Sequence, residues 1–260
     1  SSSYSIALLA TFLWAVNPVQ VTAVTYIVQR MASLAGLFYI MSMLFYLIGR
    51  TNESYTKKIF FLVLSAISAA LAIGTKENAV MLPVSLYLYD FLLIQGISRE
   101  NLIKNIKYFI LPAFIVASVV LLFFVDISSI LGLRDYLIRP FSMWERVLTE
   151  TRVIIFYISL LLYPTYSRLM LNHDFVISRS LLDPWTTSAA ILAILCCLGL
   201  AMSIARKKPL ISYCFIFFFL NHIIEGSFVP LELVFEHTNY TPSMLFFVPL
   251  SIFVIYILDF

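Results

Sequence analysis

Residues 31–48 read MASLAGLFYIMSMLFYLI, a run of eighteen residues without a charge. As an α-helix this run rises about 27 Å, which is close to the hydrocarbon thickness of a bilayer. Similar apolar runs recur along the chain and are separated by polar segments. The pattern predicts an all-α, polytopic (multi-pass) membrane protein, in which membrane topology decides which polar segments can meet.

The composition agrees with a membrane protein. The chain is 62% hydrophobic and 12% charged, against about 25% charged in soluble domains. Continuous apolar runs argue against a membrane β-barrel, whose strands alternate polar and apolar residues. The three cysteines lie in apolar runs and are interpreted as buried hydrophobic residues. Neither a nucleotide-binding motif nor a basic patch with interleaved aromatics is present, so no nucleic-acid partner is expected.

The sequence predicts about eight spans in one transmembrane domain that covers residues 1–260. They are placed at residues 3–16, 31–48, 59–74, 79–95, 108–126, 186–205, 210–226 and 244–260. The linkers 50–58, 96–107 and 206–209 are rich in lysine and arginine, and the positive-inside rule places them in the cytoplasm. Four segments then lie on the opposite side, namely 17–30, 74–78, 127–185 and 227–243.

Three helical features are predicted within this topology. Asn17 and Pro18 form a helix-start signal, and a continuous helix is expected from residue 18 to Gly49. Pro83 lies inside its span and should kink it. Pro230 and Pro242 bracket a further short helix on the outer side.

Residues 141–163 are predicted to form an amphipathic helix along the outer interface. Its apolar side carries Phe141, Trp144, Leu148 and Ile155, and its polar side carries Glu145, Arg146, Thr149, Glu150 and Arg152. The alternative is that this segment crosses the membrane. That alternative would move residues 206–209 to the outside, against the charge rule.

Ionisable residues at bilayer depth are costly and are therefore candidates for function. Lys76 and Glu77 lie in the turn GTKEN, where they are either a turn pair at the headgroups or ligands of a phosphate. Arg30 is either an interfacial anchor or a phosphate clamp, and a shared phosphate would bring it close to Lys76. Asp90 is expected to pair with a lysine at the cytoplasmic side.

A second set of candidates lies towards the end of the chain. His222 and Glu225 are three residues apart, and they form either a structural hydrogen-bonded cluster or a catalytic pair. Glu232, Glu236 and Tyr240 would share one face of the short helix, with His237 adjacent to them. Carboxylate, imidazole and phenol groups in such a set can handle a sugar hydroxyl. They could equally bind a metal, although no metal-binding spacing supports that.

Four stretches resemble one family. NPVQVTAVTYIVQRMASLAGLFYI (17–40) resembles the HPxxTEAVxxIxxR segment of the transmembrane and tetratricopeptide-repeat (TMTC-type) O-mannosyltransferases and their bacterial relatives, which belong to the GT-C superfamily. GTKENAVMLPVSLYLYDF (74–91) is similar to the family's KE-turn and following span. LTETRVIIFYISLLLYPTYSRLMLNHDF (148–175) is similar to its outer segment, and FEHTNYTPSMLFF (235–247) to its E-H-R-x-Y-x-P-S motif.

The resemblance implies a glycosyltransferase that moves a sugar from a polyprenyl-phosphate donor to a protein acceptor on the non-cytoplasmic side. It implies a bacterial inner membrane with the site facing the periplasm, no assigned metal ligand, and a catalytic acid in an outer loop that would precede Ser1. The residues it points to for substrate binding are Gln20, Arg30, Lys76, Glu77, His173, Asp174, Glu236, His237 and Tyr240.

The chain departs from the family pattern at several positions. The family's histidine is Asn17, its Thr-Glu pair is Val21-Thr22, and the arginine after Glu-His is Thr238. These differences leave a non-catalytic subunit or scaffold of the same fold in a larger membrane assembly as the alternative function. A transporter is a further alternative, but the polar groups gather at one end of the spans and no internal repeat is visible.

Overall fold

The computed structural model describes residues 2–111, 136, 138–170, 173–229, 231 and 233–258. Within these ranges all regular structure is helical. Most of the predicted span 108–126, most of residues 127–137 and Glu232 lie outside the described residues. The α-helices of the described part are α1 (Ser2–Ala15), α2 (Val21–Thr25), α3 (Arg30–Thr51), α4 (Tyr55–Thr75), α5 (Leu82–Tyr89), α6 (Arg99–Asn105), α7 (Met143–Leu162), α8 (Thr186–Ile204), α9 (Pro209–Asn221) and α10 (Phe247–Leu258).

Among the described residues, four helical segments are long and apolar enough to cross a membrane. They are Ile27–Thr51, Tyr55–Thr75, Glu77–Gln95 and Thr186–Ile204, and a fifth would be Ser2–Ala15 with Pro18–Thr25 if that pair, bent by 57°, is one span. The all-α membrane architecture therefore stands, but the predicted count of about eight spans does not. The reason is length: α9 has 13 residues, and a helix of that length rises about 20 Å across a core of about 30 Å.

The predicted continuous helix from residue 18 to Gly49 is broken. Asn17 caps the start as expected, since its side chain accepts a hydrogen bond from the backbone N–H of Val19 at 3.1 Å. The chain then passes through a 3-10 turn and α2, and at Tyr26 the backbone becomes extended with φ −77° and ψ 113°. The run VTAVT is rich in β-branched residues, which lose side-chain freedom in a helix and propagate it weakly.

Other helical expectations change in detail. Pro83 lies in the first turn of α5, where its missing N–H breaks no hydrogen bond. Asp90 pairs with Arg50 at 2.8 Å and not with a lysine. Cys214 is buried, but Cys196 is exposed, so the interpretation of the cysteines as buried residues is wrong for Cys196.

Helices α3 and α4 pack tightly against each other. The Ser42 hydroxyl donates to the carbonyl oxygen of Ser65, and the Ser65 hydroxyl donates to that of Ser42, both at 2.9 Å. Small residues of this kind let membrane helices approach closely. Lys76 follows α4 directly, so the packing of α3 against α4 helps to fix its position.

Helix α7 buries residues from both of its predicted sides. Leu148 and Phe141 of the apolar side are buried, Arg146 and Thr149 of the polar side are completely buried, and Trp144 is 62% exposed. The burial of Arg146 has a physical reason, because Glu225 and Ser227 present backbone carbonyls that need donors and Arg146 supplies them. Further along α7, Val153 and Leu160 are buried in one of the two hydrophobic clusters.

Candidate functional site

Two adjoining cavities lie where the polar segments meet. The polar cavity has a volume of about 410 Å³ and is lined by Thr22, Tyr26, Val28, Gln29, Met170, Phe235, Glu236 and His237. The lysine cavity has a volume of about 240 Å³ and is lined by Gln29, Met31, Lys76, Glu77, Arg139, Glu225, Leu231, Phe235, His237 and Thr238. Gln29, Phe235 and His237 line both, so one wall separates the two spaces.

That wall is not the helix that the sequence predicts between Pro230 and Pro242. Residues 233–235 are not helical, and only a 3-10 turn, Glu236–Asn239, follows them. The turn is held by the hydroxyl of Tyr157, which donates to the carbonyl oxygen of Phe235 and accepts from its N–H, each at 2.9 Å. The hydroxyl of Thr238 donates to the hydroxyl oxygen of Tyr157 at 3.0 Å.

Lys76 is an interior residue with an anionic partner. Its ammonium group lies 2.8 Å from the Glu225 carboxylate, and the two side chains are 5% and 11% exposed. The Asn78 amide donates to the same carboxylate oxygen at 3.2 Å. A buried charge needs such a partner, so Lys76 is neither a headgroup residue nor an unpaired phosphate ligand. Glu225 in turn is engaged with Lys76, while His222 bonds through Nδ1 to the Phe218 carbonyl at 2.9 Å.

Arg30 lies at a different place from Lys76. It lines an open space of about 760 Å³, the arginine groove, together with Val24, Ile27, Val28, Met31, Ser33, Leu34, Leu37 and Thr75. Its Nε donates to the carbonyl oxygen of Val24 at 3.2 Å. The groove shares Val28 with the polar cavity and Met31 with the lysine cavity. The structure therefore places Arg30 beside both cavities without making it part of the lysine cavity.

Glu236 faces the polar cavity beside residues 22–29. Its Oε1 is 3.4 Å from Nε2 of His173, and the two side chains are 3% and 9% exposed. Burial raises the pKa of Glu236 to about 7, against a lowering by a backbone hydrogen bond from Met170. Burial also lowers the pKa of His173.

Of the remaining predicted site residues, His237 lines both cavities, and three others lie away from them. Burial lowers the pKa of His237 to about 3, with a contribution from nearby Lys76, so its imidazole is neutral at pH 7. Asp174 is exposed, Tyr240 packs edge-on against Trp14 at 4.9 Å, and Gln20 donates to the Ser243 hydroxyl at 3.0 Å. These last three residues line neither cavity.

Sequence reasoning missed the structural part that α7 plays at the site. The buried guanidinium of Arg146 donates to the carbonyl oxygens of Glu225 at 2.7 Å, Ser227 at 3.1 Å and Leu231. It also pairs with Glu150 at 2.9 Å. Burial raises the pKa of Glu150 to about 8, and Arg146 opposes this rise. The spacing of Arg146 and Glu150, one helical turn apart, was the available signal.

The side chains of the polar cavity suit a neutral, hydroxyl-rich ligand. Thr22, Tyr26 and Gln29 supply hydroxyl and amide groups, and Glu236 and His237 supply a carboxyl and a neutral imidazole. Ligand sites in proteins commonly combine apolar walls with a few such groups. Among the described residues, no group of three or more His, Cys, Asp or Glu side chains could hold a metal ion.

Comparison with known proteins gives no relative for this chain. It matches no protein-family model, no curated protein and no solved structure.

Proposed function

We propose that the chain is a membrane domain of a GT-C-type glycosyltransferase, which transfers a sugar from a polyprenyl-phosphate donor to an acceptor on the non-cytoplasmic side. Such a donor has an apolar tail, a phosphate and a sugar in that order. Residues 22–31 line two spaces of matching character, namely an apolar groove that contains Arg30 and a polar cavity. This juxtaposition is the observation that carries the proposal.

The two spaces divide the donor between them. The isoprenoid chain lies along Leu34 and Leu37 in the arginine groove, and the Arg30 guanidinium binds the phosphate. The sugar enters the polar cavity and meets Gln29, Glu236 and His237. Because Glu225 neutralises Lys76, we assign the phosphate to Arg30 and give Lys76 the task of holding Glu225.

The proposed topology follows the lysine distribution. Residues 50–58, 96–107 and 206–209 face the cytoplasm and both cavities face the periplasm of a bacterial inner membrane. Two ion pairs support this arrangement, since Arg50–Asp90 and Lys76–Glu225 each join segments assigned to one side. In the proposed GT-C-like arrangement, the four long helices of the described residues cross the membrane and the bent α1–α2 pair is a fifth crossing.

Donor turnover tests this function. Full-length protein in lipid nanodiscs is incubated with polyprenyl-phosphate [³H]mannose and a periplasmic protein extract, and transfer of label to protein is measured. We expect transfer by the wild type and a loss of about 10- to 100-fold in Arg30→Gln, since hydrogen bonds to charged groups contribute about 1.5–3 kcal/mol. Arg99→Gln, on the opposite side, is the matched control. Absence of both donor binding and transfer in the wild type would contradict the proposal.

A non-catalytic subunit of the same fold is the second candidate, and two contacts favour it. Asn17 and Thr238 replace family residues, and both are engaged in structural bonds. Asn17 donates to the carbonyl oxygen of Leu161 at 3.0 Å, and Thr238 bonds Tyr157. Retention of polyprenyl phosphate in native mass spectrometry, without any transfer by the wild type, would support this candidate over the enzyme.

A further inference from the structure

We propose that Glu236 and His173 act as one acid–base unit that holds a single proton at the wall of the polar cavity, with Tyr157 as the residue that positions it. The unit hydrogen-bonds a hydroxyl group of a neutral ligand. The inference rests on the proposed function only in taking that ligand to be the donor's sugar.

The contact between the two side chains carries the proposal. Oε1 of Glu236 and Nε2 of His173 lie 3.4 Å apart, and both side chains are more than nine-tenths buried. Within the described part of the chain neither of these two atoms has a hydrogen-bond partner. Met170 donates a backbone hydrogen bond to the Glu236 carboxyl, but Oε1 and the His173 Nε2 have each other and the cavity as the available partners. Glu236 lines the cavity directly.

Two arginines near this pair are held on aromatic rings and not by Glu236 or His173. The ring of Phe156 packs edge-on against His173 at 5.4 Å. The guanidinium of Arg168 lies over that Phe156 ring at 5.3 Å, and the guanidinium of Arg152 lies over the Phe175 ring at 4.9 Å. Both cations are therefore engaged by aromatic faces.

Other titratable groups face the unit from neighbouring segments. They are Tyr26 and His237 in the polar cavity, Lys76, Glu77, Arg139 and Glu225 in the lysine cavity, Asp174 next to His173, and Glu150 and Tyr157 on α7. Lys76 and Glu225 neutralise each other, and His237 is neutral near pH 7. Burial is therefore the dominant influence, and it disfavours the charged form of both Glu236 and His173.

One proton is then shared between two groups. When the Glu236 carboxyl holds the proton and His173 is neutral, the carboxyl can donate a hydrogen bond to a ligand oxygen. Above pH 7 the carboxylate can only accept one. Because the two groups are in contact, a measured pKa describes the pair and not Glu236 or His173 alone.

Tyr157 positions the unit through the backbone. Its fully enclosed hydroxyl bonds both the N–H and the carbonyl of Phe235, the residue before Glu236, and accepts from Thr238 after it. Three hydrogen bonds thus fix the turn on both sides of the carboxyl. Tyr157 contacts Glu236 only through these neighbours, so it is a positioning residue and not a catalytic one.

Histidine NMR tests the unit without any assay of activity. The chain has three histidines, so full-length protein in nanodiscs with ¹³C/¹⁵N-labelled imidazoles gives three signals from these residues, and that of His173 is assigned by its loss in His173→Gln. We expect the ¹³Cε1 signal of His173 to show an inflection near pH 7 in the wild type. Glu236→Gln should abolish that inflection, and Asp174→Asn, which removes a charge beside His173 but outside the cavity, should keep it. An unchanged curve in Glu236→Gln would overturn the unit.

Tyr157→Phe tests the positioning role. The variant should keep a folded state but shift the His173 inflection by at least about 0.5 pH units, a change that a merely structural residue would not cause. If Tyr157→Phe does not fold, Thr238→Val removes one of the three hydrogen bonds and serves in its place. An unshifted inflection in a folded variant would contradict the positioning role.

Comparison with donor turnover separates the two proposals. A His173 inflection that responds to Glu236→Gln, without donor binding or turnover by the wild type, would retain the unit and reject the glycosyltransferase. Turnover without that inflection would retain the enzyme and reject the unit.

Discussion

Lys76 and Glu225 form a buried ion pair at the polar end of the molecule. Their side chains are almost entirely buried and in contact at 2.8 Å. Breaking a buried ion pair by removing one partner leaves an uncompensated charge, whereas replacing both partners by apolar residues is often nearly neutral.

We therefore expect Lys76→Met or Glu225→Gln alone to lower the free energy of unfolding by about 3–5 kcal/mol. The double variant Lys76→Met/Glu225→Leu should recover most of that loss. Unfolding in nanodiscs measures the effect, with Lys104→Met as the control because Lys104 and Glu100 form an exposed pair. Equal losses in the single and double variants would contradict the interpretation of a coupled buried pair.

Gly36 is a second residue whose identity the packing requires. A Cβ atom added there would lie 2.6 Å from Cε of Met244 and 2.8 Å from Cε1 of Tyr240. The methionine end can move, but the tyrosine ring is packed against Trp14. The glycine thus allows α3 to approach the segment that follows the polar turn.

Gly36→Ala should consequently lower the free energy of unfolding by about 1–3 kcal/mol, the usual cost of overpacking. Gly199→Ala is the matched control, since a Cβ atom there meets nothing within 4 Å. It should raise stability by about 0.5–1 kcal/mol through helix propensity. Thermal unfolding of both variants measures the difference, and changes of the same sign would contradict this account.

At the scale of elements, α7 connects the two polar loops of the candidate site. Arg146 near its start donates to Ser227, and the carbonyl of Leu161 near its end accepts from Asn17. Both partners belong to segments that the charge rule places outside the cytoplasm. On that topology both ends of α7 lie on one side of the membrane, which is the interfacial arrangement and not a crossing.

Cysteine accessibility measures this topology. In a background without native cysteines, Ser54→Cys and Ser98→Cys should react with an impermeant maleimide from one side of the membrane, and Ser180→Cys from the other. All three serines are exposed, whereas Ser178 is completely buried and unsuitable. Labelling of Ser180→Cys from the same side as Ser54→Cys would show that α7 crosses.

At the scale of the whole molecule, buried titratable groups make stability depend on pH. The pKa of His237 is lowered to about 3, so below about pH 6.5 the unfolded chain binds a proton that the folded chain does not. The pKa values of Glu236 and Glu150 are raised to about 7 and about 8, so the folded chain keeps protons that the unfolded chain has lost. Stability rises with pH where the unfolded state binds more protons and falls in the opposite case.

The two effects oppose each other up to about pH 6.5, and above it only the carboxyl groups contribute. We therefore expect the melting temperature in nanodiscs to fall between pH 6.5 and pH 8. Glu236→Gln should remove the part of the fall that lies below pH 7, because the glutamine does not titrate. A melting temperature that rises over this interval would contradict the assignment of the buried carboxyls.

The sequence by itself determined the helical class, the apolar runs and the segments that hold the candidate site. These features depend on local patterns, because hydrophobic length sets a membrane helix and Asn17-Pro18 sets a helix start. The number of helices long enough to cross did not follow, because β-branched residues and helix ends shorten runs that composition alone leaves intact.

The tertiary structure alone decided the partners of the charged groups. Lys76 lies 149 positions from Glu225 along the chain, and no local pattern distinguishes that carboxylate from Glu77 next to it. The burial of Arg146 on α7 likewise depends on the carbonyl groups of Glu225 and Ser227. These carbonyls need a donor only once their segment is folded. Buried charges and backbone groups pair with the partners that packing brings close to them. Those distances are set only when the helices have assembled.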